Sequence, residues 1–299
     1  MPAGDFSSME EMVFYIVDVF AEKKFAGNQL AVLRGGANLS PDQMQAIARE
    51  MHFSETTFII SEDKTDGGYD VRIFTPSAEV PFAGHPTLGT AHIIRSEILR
   101  DNPAEIILNL KVGRIPVTFQ ENVSWMKQVS PEFGQKLDVD TLADILGLSR
   151  SDIDERFPVE EVSTGLPHII VPIKKLDSFS RVRVSLAKYY QLIQNTWAKP
   201  ILIFCPESHT GSNDISVRMF ADYYGVPEDP ATGSGNGCLA AYLVKNRYWG
   251  VSEIDIRSEQ GYEIHRPSLL YLRAAERAGT IEVFIGGKSI TVARGNLLL

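Results

Sequence analysis

Cysteine is scarce: only Cys205 and Cys238 occur in 299 residues, far apart and outside any CxxC spacing. A disulfide framework is thereby excluded, no zinc-ligand pattern remains, and a reducing cytoplasm is the expected compartment. Basic charge is also in deficit. Lys and Arg number 29 against 38 Asp and Glu, a net charge of −9, and no dense basic cluster offsets this locally, so nucleic acid is not expected as a partner. Long apolar runs are missing as well: nothing approaches the roughly 18 residues that cross a bilayer. The opening stretch, Met1–Met12, is acidic and polar where a secretory signal has a basic start and an apolar centre. Neither membrane insertion nor export is expected.

What is present is ordinary globular material. Hydrophobic residues make up 44% of the chain and charged residues 22%, with 15 Phe and 10 Tyr, which leaves disorder to the first ten residues at most. A single core rarely grows to this length, so two domains of about 150 residues are expected.

Local patterns give a coarse map. Val13–Phe20 and Ala31–Leu33 read as strands of an opening hairpin ended by Gly35-Gly36. Ser40 ahead of Pro41 marks the start of a helix running to Met51. Strands follow at Thr56–Ile60 and Val71–Phe74, then a helix over Thr87–Leu99 after the loop Pro81–Pro86, then strands at Glu105–Leu110 and Ile115–Phe119. Asp140–Leu146 reads as a helix stopped by Gly147. Further on come a strand at Pro167–Pro172, a helix over Leu186–Thr196, strands at Ile201–Cys205 and Ile215–Phe220, and mainly strands after Glu253. The boundary between halves falls within Glu121–Ser130, giving domains of residues 12–125 and 126–292; residues 293–299 are expected as a strand crossing back to the first.

The halves resemble each other. Val71-Arg72-Ile73-Phe74 recurs as Val217-Arg218-Met219-Phe220, and each copy is followed by a glycine-containing turn, Gly84 or Gly233, that opens an apolar helix. Facing each other, two such helix starts would present free N–H groups and dipoles to one cleft, which suits a small anionic substrate.

Four residues near these turns can handle protons. Glu55 stands at a strand entrance between apolar neighbours, where it either faces solvent or serves chemistry. His85 lies in the first glycine turn, as a helix cap or a ligand-facing imidazole. Asp229 precedes the second turn, as a plain turn residue or a second carboxyl group, and Ser234 is a helix cap or an anion contact. Carboxylates and an imidazole converging on one substrate suit moving a proton between carbons, since burial can bring a carboxyl pKa toward the working pH.

At these residues the sequence resembles the phenazine-biosynthesis PhzF-like family within the diaminopimelate-epimerase-like superfamily. The resemblance rests on Asp18-Val19-Phe20 with Gly27-Asn28, Phe53-Ser54-Glu55-Thr56-Thr57-Phe58, and Arg72-Ile73-Phe74-Thr75-Pro76 with Glu79. It continues through Phe82-Ala83-Gly84-His85-Pro86-Thr87-Leu88-Gly89, Arg218-Met219-Phe220, Glu228-Asp229-Pro230-Ala231-Thr232-Gly233-Ser234, and Gln260-Gly261 with Arg266-Pro267-Ser268. It implies an α+β fold of two pseudo-symmetric domains, each a barrel-like sheet around a central helix, and a homodimer. It also implies an isomerase working without metal or organic cofactor. Glu55 becomes the principal acid/base, with His85, Asp229 and Ser234 on the proton path; Ser54, Gly84, Gly233 and Ser234 would hold substrate.

Two-cysteine racemases and epimerases of this superfamily place a thiol before each glycine turn, where this chain has Ala83 and Thr232. Cys238 lies beyond the turn, inside the helix, as a buried structural residue. Gly235-Asn236-Gly237-Cys238 and His265 depart from the family pattern and raise the prospect of a reshaped pocket. An isomerase of a small carboxylic acid is the leading expectation; a thiol-free epimerase and a non-catalytic ligand-binding protein of the same fold are the alternatives.

Overall fold

The computed structural model describes residues 11–99 and 101–299; the acidic N-terminal stretch up to Glu10 lies outside the described residues. Among them are eighteen strands and six α-helices, a mixed α/β chain dominated by sheet. Two compact units emerge. Of the described residues, one holds Glu11–Val19 with Gln29–Gln120 and Ser289–Leu299, the other Phe20–Asn28 with Glu121–Lys288.

The first unit begins with β1 (Glu11–Val19) and β2 (Asn28–Arg34). Ser40 caps α1 (Pro41–Met51) through a capping box: its hydroxyl accepts from Gln43 N at 3.2 Å while the Gln43 side chain accepts from Ser40 N at 2.9 Å. Such a box stabilises a helix by about 1 kcal/mol. α1 makes the crossover to β3 (Glu55–Ile59), which lies parallel to β2. β4 (Tyr69–Phe74) and β5 (Glu79–Val80) follow antiparallel, then α2 (Gly84–Ile93), which passes into a π-helical stretch at Ile94–Leu99. β6 (Glu105–Leu110) returns parallel to β4, and β7 (Gly113–Gln120) pairs with it antiparallel.

Strand alternation divides the labour on β3. Phe58 joins Ala31, Leu33, Met44, Ala48 and Phe74 in a core under α1, while Thr57 turns the other way and accepts from Thr90 of α2 at 2.8 Å. Glu55, two residues before Thr57, shares that α2 face. α2 can lie this close because Gly89 has no side chain; a Cβ there would meet Leu30 Cδ2 at 2.6 Å and Val19 Cγ2 at 2.8 Å.

The second unit starts with β8 (Val123–Lys127), β9 (Glu132–Lys136), α3 (Val139–Leu146), β10 (Glu160–Ser163) and β11 (Pro167–Pro172). α3 is capped by Asp138, whose carboxylate accepts from Thr141 N at 2.8 Å, and ended by Gly147 in the left-handed region at φ 68°. Next come α4 (Leu176–Arg181), α5 (Leu186–Leu192), β12 (Ile201–Cys205), β13 (Ile215–Ala221), β14 (Val226–Asp229) and α6 (Gly233–Lys245). β15 (Glu253–Gln260), β16 (Ser268–Arg277) and β17 (Thr280–Gly287) complete the unit. One apolar cluster holds α3, α4 and α5 against the sheet through Leu142, Ile145, Phe179, Tyr189, Ile169 and Ile203, and α6 is buried along nearly its whole length. The chain then returns to the first unit as β18 (Ser289–Leu298), antiparallel to β1 from Glu11↔Leu298 to Val19↔Ser289.

The sequence repeat carries a repeated topology. β2 runs parallel to β3, β3 antiparallel to β4, β4 antiparallel to β5 and parallel to β6. In the other unit β11, β12, β13, β14 and β15 repeat that order of pairings. Each repeated arginine makes the same fork: Arg72 donates to Glu79 at 2.8 and 2.9 Å, Arg218 to Glu228 at 2.9 and 2.8 Å. The four-residue match therefore preserves a bidentate ion pair joining two adjacent strands.

Three helix boundaries differ from those expected. α2 and α6 start at Gly84 and Gly233 rather than after the glycines, neither glycine taking a positive φ. The expected helix to Thr196 stops at Leu192 and ends in a 3₁₀ turn, Ile193–Asn195. Among the described residues no helix is long and apolar enough to cross a membrane.

Candidate active site

In the first unit, β3 and α2 bring two of the expected residues together. Glu55 opens β3, its side chain only 18% exposed, which removes the solvent-facing reading. His85 is the second residue of α2; the cap position belongs to Ala83, so the imidazole does not cap its own helix. Its Nε2 lies 3.4 Å from Glu55 Oε2 without the geometry of a hydrogen bond. A hydrogen bond to the Gln29 backbone holds the ring, and burial drives its pKa down from 6.5 to about 3. At neutral pH the imidazole is therefore uncharged: the pair is a carboxyl group beside a neutral ring rather than an ion pair. Ser54 sits partly buried just ahead of β3, and Gly84 is the first helical residue beside His85.

In the second unit Asp229 ends β14, buried, with both carboxylate oxygens engaged. Asn28 Nδ2 donates to Oδ1 at 2.9 Å, and the Thr232 hydroxyl donates to Oδ2. Burial raises the Asp229 pKa from 3.8 to about 6, opposed by these two hydrogen bonds. Asn28 itself is aimed by Arg266, which donates to the carbonyls of Ala26 at 2.7 Å and Gly27 at 2.9 Å. Ser234 is the second residue of α6 and partly exposed; the cap position is Thr232, whose hydroxyl makes no capping bond. The first N–H groups of α2 and α6 thus begin helices without side-chain caps.

Sequence reasoning singled out Asp229 but gave no role to the polar set around it. Gln260 and Asn236 contact Thr232, and Ser258 donates to Asn236 at 2.7 Å. Only Gln260 carried a signal, its place in the family pattern; a buried polar residue on a strand or helix otherwise looks like any other in a sequence.

Both cysteines are buried and free. Burial pushes Cys238 up to about 12 and Cys205 to about 11, so both stay protonated. The unusual glycines of α6 have packing reasons: a Cβ on Gly235 would meet Leu202 Cδ1 at 2.8 Å, and one on Gly237 would meet Thr164 Oγ1 at 2.8 Å. His265 is exposed in the left-handed region at φ 59°, a conformation that explains the preference for glycine there.

Known proteins resemble this chain along nearly its whole length. A model of phenazine biosynthesis-like proteins, PhzC-PhzF, matches residues 17–295. An uncharacterized isomerase of Pasteurella multocida is 32% identical over 294 residues, 96% of this chain and 94% of that one. The trans-2,3-dihydro-3-hydroxyanthranilate isomerase of Pseudomonas aeruginosa is 33% identical over 295 residues, covering 95% and 99%. A crystal structure of a phenazine biosynthesis protein of the PhzF family from Bacillus anthracis superposes with a TM-score of 0.88 at 27% identity, covering 97% of this chain and all of that one. These relatives and the sheet-rich fold define an enzyme of the isomerase class. Within that class the chain belongs to the phenazine biosynthesis-like (PhzC-PhzF) family.

Proposed function

We propose that this isomerase moves a proton between two carbons of a small carboxylic acid, using Glu55 as acid and base and no cofactor. The carrying observation is the Glu55–His85 pair: a carboxyl group 3.4 Å from an imidazole that burial keeps neutral. A permanent cation in that place would favour Glu55 as an inert carboxylate; a neutral ring exerts no such pull, which suits a group that takes up a proton and gives it back. His85 holds the substrate beside Glu55, and Asp229, poised near pH 6, serves as a further proton-holding group. The uncapped starts of α2 and α6, with Gly84, Gly233 and Ser234, supply N–H and hydroxyl donors for a substrate carboxylate, joined by Ser54. Each unit is, in this reading, a curved sheet closed around its own helix, α2 or α6, with the homodimer as the working assembly. The substrate of the Pseudomonas aeruginosa relative, a cyclic dihydro-hydroxy acid, suggests the chemical class.

Ala83 and Thr232 stand where a two-thiol epimerase would need cysteines, which favours proton relocation over inversion at one carbon. The test is NMR in deuterated water with a panel of cyclic and acyclic unsaturated carboxylic acids, comparing wild type with Glu55→Gln. Double-bond movement or deuterium uptake that vanishes in the variant supports the reading. Turnover that persists in Glu55→Gln removes Glu55, and inversion without double-bond movement makes the enzyme an epimerase.

A further inference from the structure

Thr232 occupies the position that should cap α6, yet its hydroxyl is turned elsewhere. A threonine at a helix N-cap ordinarily accepts from an N–H two or three residues on. Here the hydroxyl oxygen accepts from Gln260 Nε2 at 3.0 Å and its hydrogen goes to Asp229 Oδ2. The Gln260 amide is itself fixed at both ends. Its nitrogen also donates to the Asp229 carbonyl at 2.8 Å, while its oxygen accepts from Thr232 N at 3.2 Å and Asn236 Nδ2 at 2.9 Å. Asn236 is held in turn by its Nδ2 bond to Thr232 O at 3.0 Å and by the Ser258 hydroxyl. With every role of the amide assigned, it cannot be flipped without placing donor against donor. The Thr232 oxygen therefore always meets an N–H from Gln260, and its hydrogen is left facing the carboxylate.

We propose that Gln260 is a positioning residue: through the Thr232 hydroxyl it fixes a hydrogen-bond donor on the Asp229 carboxylate. The role rests on Asp229 taking part in the proton transfer proposed above, since that donor decides how readily the carboxyl holds its proton. Among the described residues the neighbouring charges are engaged elsewhere: Arg266 donates to the carbonyls of Ala26 and Gly27. Glu228, next to Asp229 on β14, is turned to Arg218, and Glu259, next to Gln260 on β15, accepts from the backbone of His209 at 2.8 Å and from Asn213 at 2.6 Å. The first turn of α6 carries no ionisable residue.

The experiment follows the Asp229 carboxyl carbon by NMR in the full-length, aspartate-labelled protein across pH 4 to 9, without substrate, assigned with Asp229→Asn. Thr232→Val removes the donor at nearly constant volume and should raise the Asp229 midpoint by about one unit; Thr232→Ser should restore it. Gln260→Glu puts an acceptor where Nε2 was, drawing the hydroxyl hydrogen away while adding a negative charge. Its upward shift should be larger by about one unit in the Thr232 background than in the Thr232→Val background, where only the charge remains. An unmoved midpoint in Thr232→Val, or equal Gln260→Glu shifts in both backgrounds, overturns the proposal. Thermal unfolding of each variant checks that the fold persists; if Gln260→Glu does not fold, an unmoved midpoint in Thr232→Val still overturns the proposal. Because no turnover is read, failure here is separate from failure of the isomerase reading, which the deuterium assay decides.

Discussion

The imidazole of His85 lies 3.4 Å from the Glu55 carboxyl, and it carries no charge at neutral pH. Glu55→Gln keeps the size and removes the titratable group, so proton exchange should fall by at least about 1,000-fold with the thermal midpoint unchanged. His85→Asn should lower turnover by about 100-fold and weaken substrate binding as well, because the ring would touch substrate in ground and transition states alike. Steady-state isomerisation and unfolding scans on the same preparations check both.

Gly89 lies one turn after His85 on the same face of α2. Gly89→Ala should gain about 1 kcal/mol of helix propensity and lose about 1–3 kcal/mol to overpacking against Leu30 and Val19. The net change in stability is small or unfavourable, but α2 must shift away from β1 and β2, carrying His85 with it. Turnover should drop by more than tenfold, a larger effect than urea denaturation reports; wild-type turnover would show that the spacing does not matter.

Stability should respond to pH in two opposing ways. Asp229 binds its proton more tightly folded than unfolded, so between pH 3.8 and about 6 the native state carries the extra proton and stability falls as pH rises. His85, lowered to about 3, and His168, lowered to about 4, act in reverse: the unfolded chain carries the extra protons up to pH 6.5, and stability falls as pH drops below that value. Asp229→Asn removes this titration, so its stability relative to wild type should rise by about 1–3 kcal/mol from pH 4 to pH 7, on top of a pH-independent cost of setting one amide N–H against the Asn28 or Thr232 donor. Urea denaturation at pH 4, 5, 6 and 7 measures this, and a difference from wild type that stays constant from pH 4 to pH 7 would exclude a buried charge at Asp229.

The repeated arginines should not be equally important. The Arg218 and Glu228 side chains are 5% and 12% exposed, those of Arg72 and Glu79 28% and 25%. A lysine cannot reproduce the fork, so Arg218→Lys should destabilise by about 3 kcal/mol and Arg72→Lys by about 1 kcal/mol or less. Equal losses in denaturant titrations would show that burial does not govern the pair.

Local signals read well where one force acts alone. Ser40-Pro41 marked α1 because capping chemistry is local, and Ile201–Cys205 marked β12 because an apolar run of that length bounded by Pro200 and Pro206 fits a buried strand. β10 was missed: Glu160 and Glu161 are 1% and 2% exposed, against every expectation for glutamate. Their partners, Lys245 at 2.7 Å and the Ala198 N–H at 3.0 Å, lie 85 and 37 residues away, beyond any local window. Glu55 and His85 were legible as chemical types, but their approach depends on α2 packing against β1 and β2 across Gly89 and against β3 through Thr90 and Thr57. The Asn28, Thr232 and Gln260 contacts around Asp229 depend on pairings over 201, 3 and 28 residues, and only the shortest lies within reach of a sequence pattern.

The pairing of β1 with β18 along its full nine residues has a consequence for synthesis. β1 finds this partner only when β18 has left the ribosome, so the unit that houses Glu55 and His85 closes after the segment Glu121–Lys288 is already available to fold. A chain cut before Ser289 would leave β1 with an open edge, a ready template for pairing with another chain; loss of so short a tail should therefore appear as aggregation rather than as a weaker enzyme.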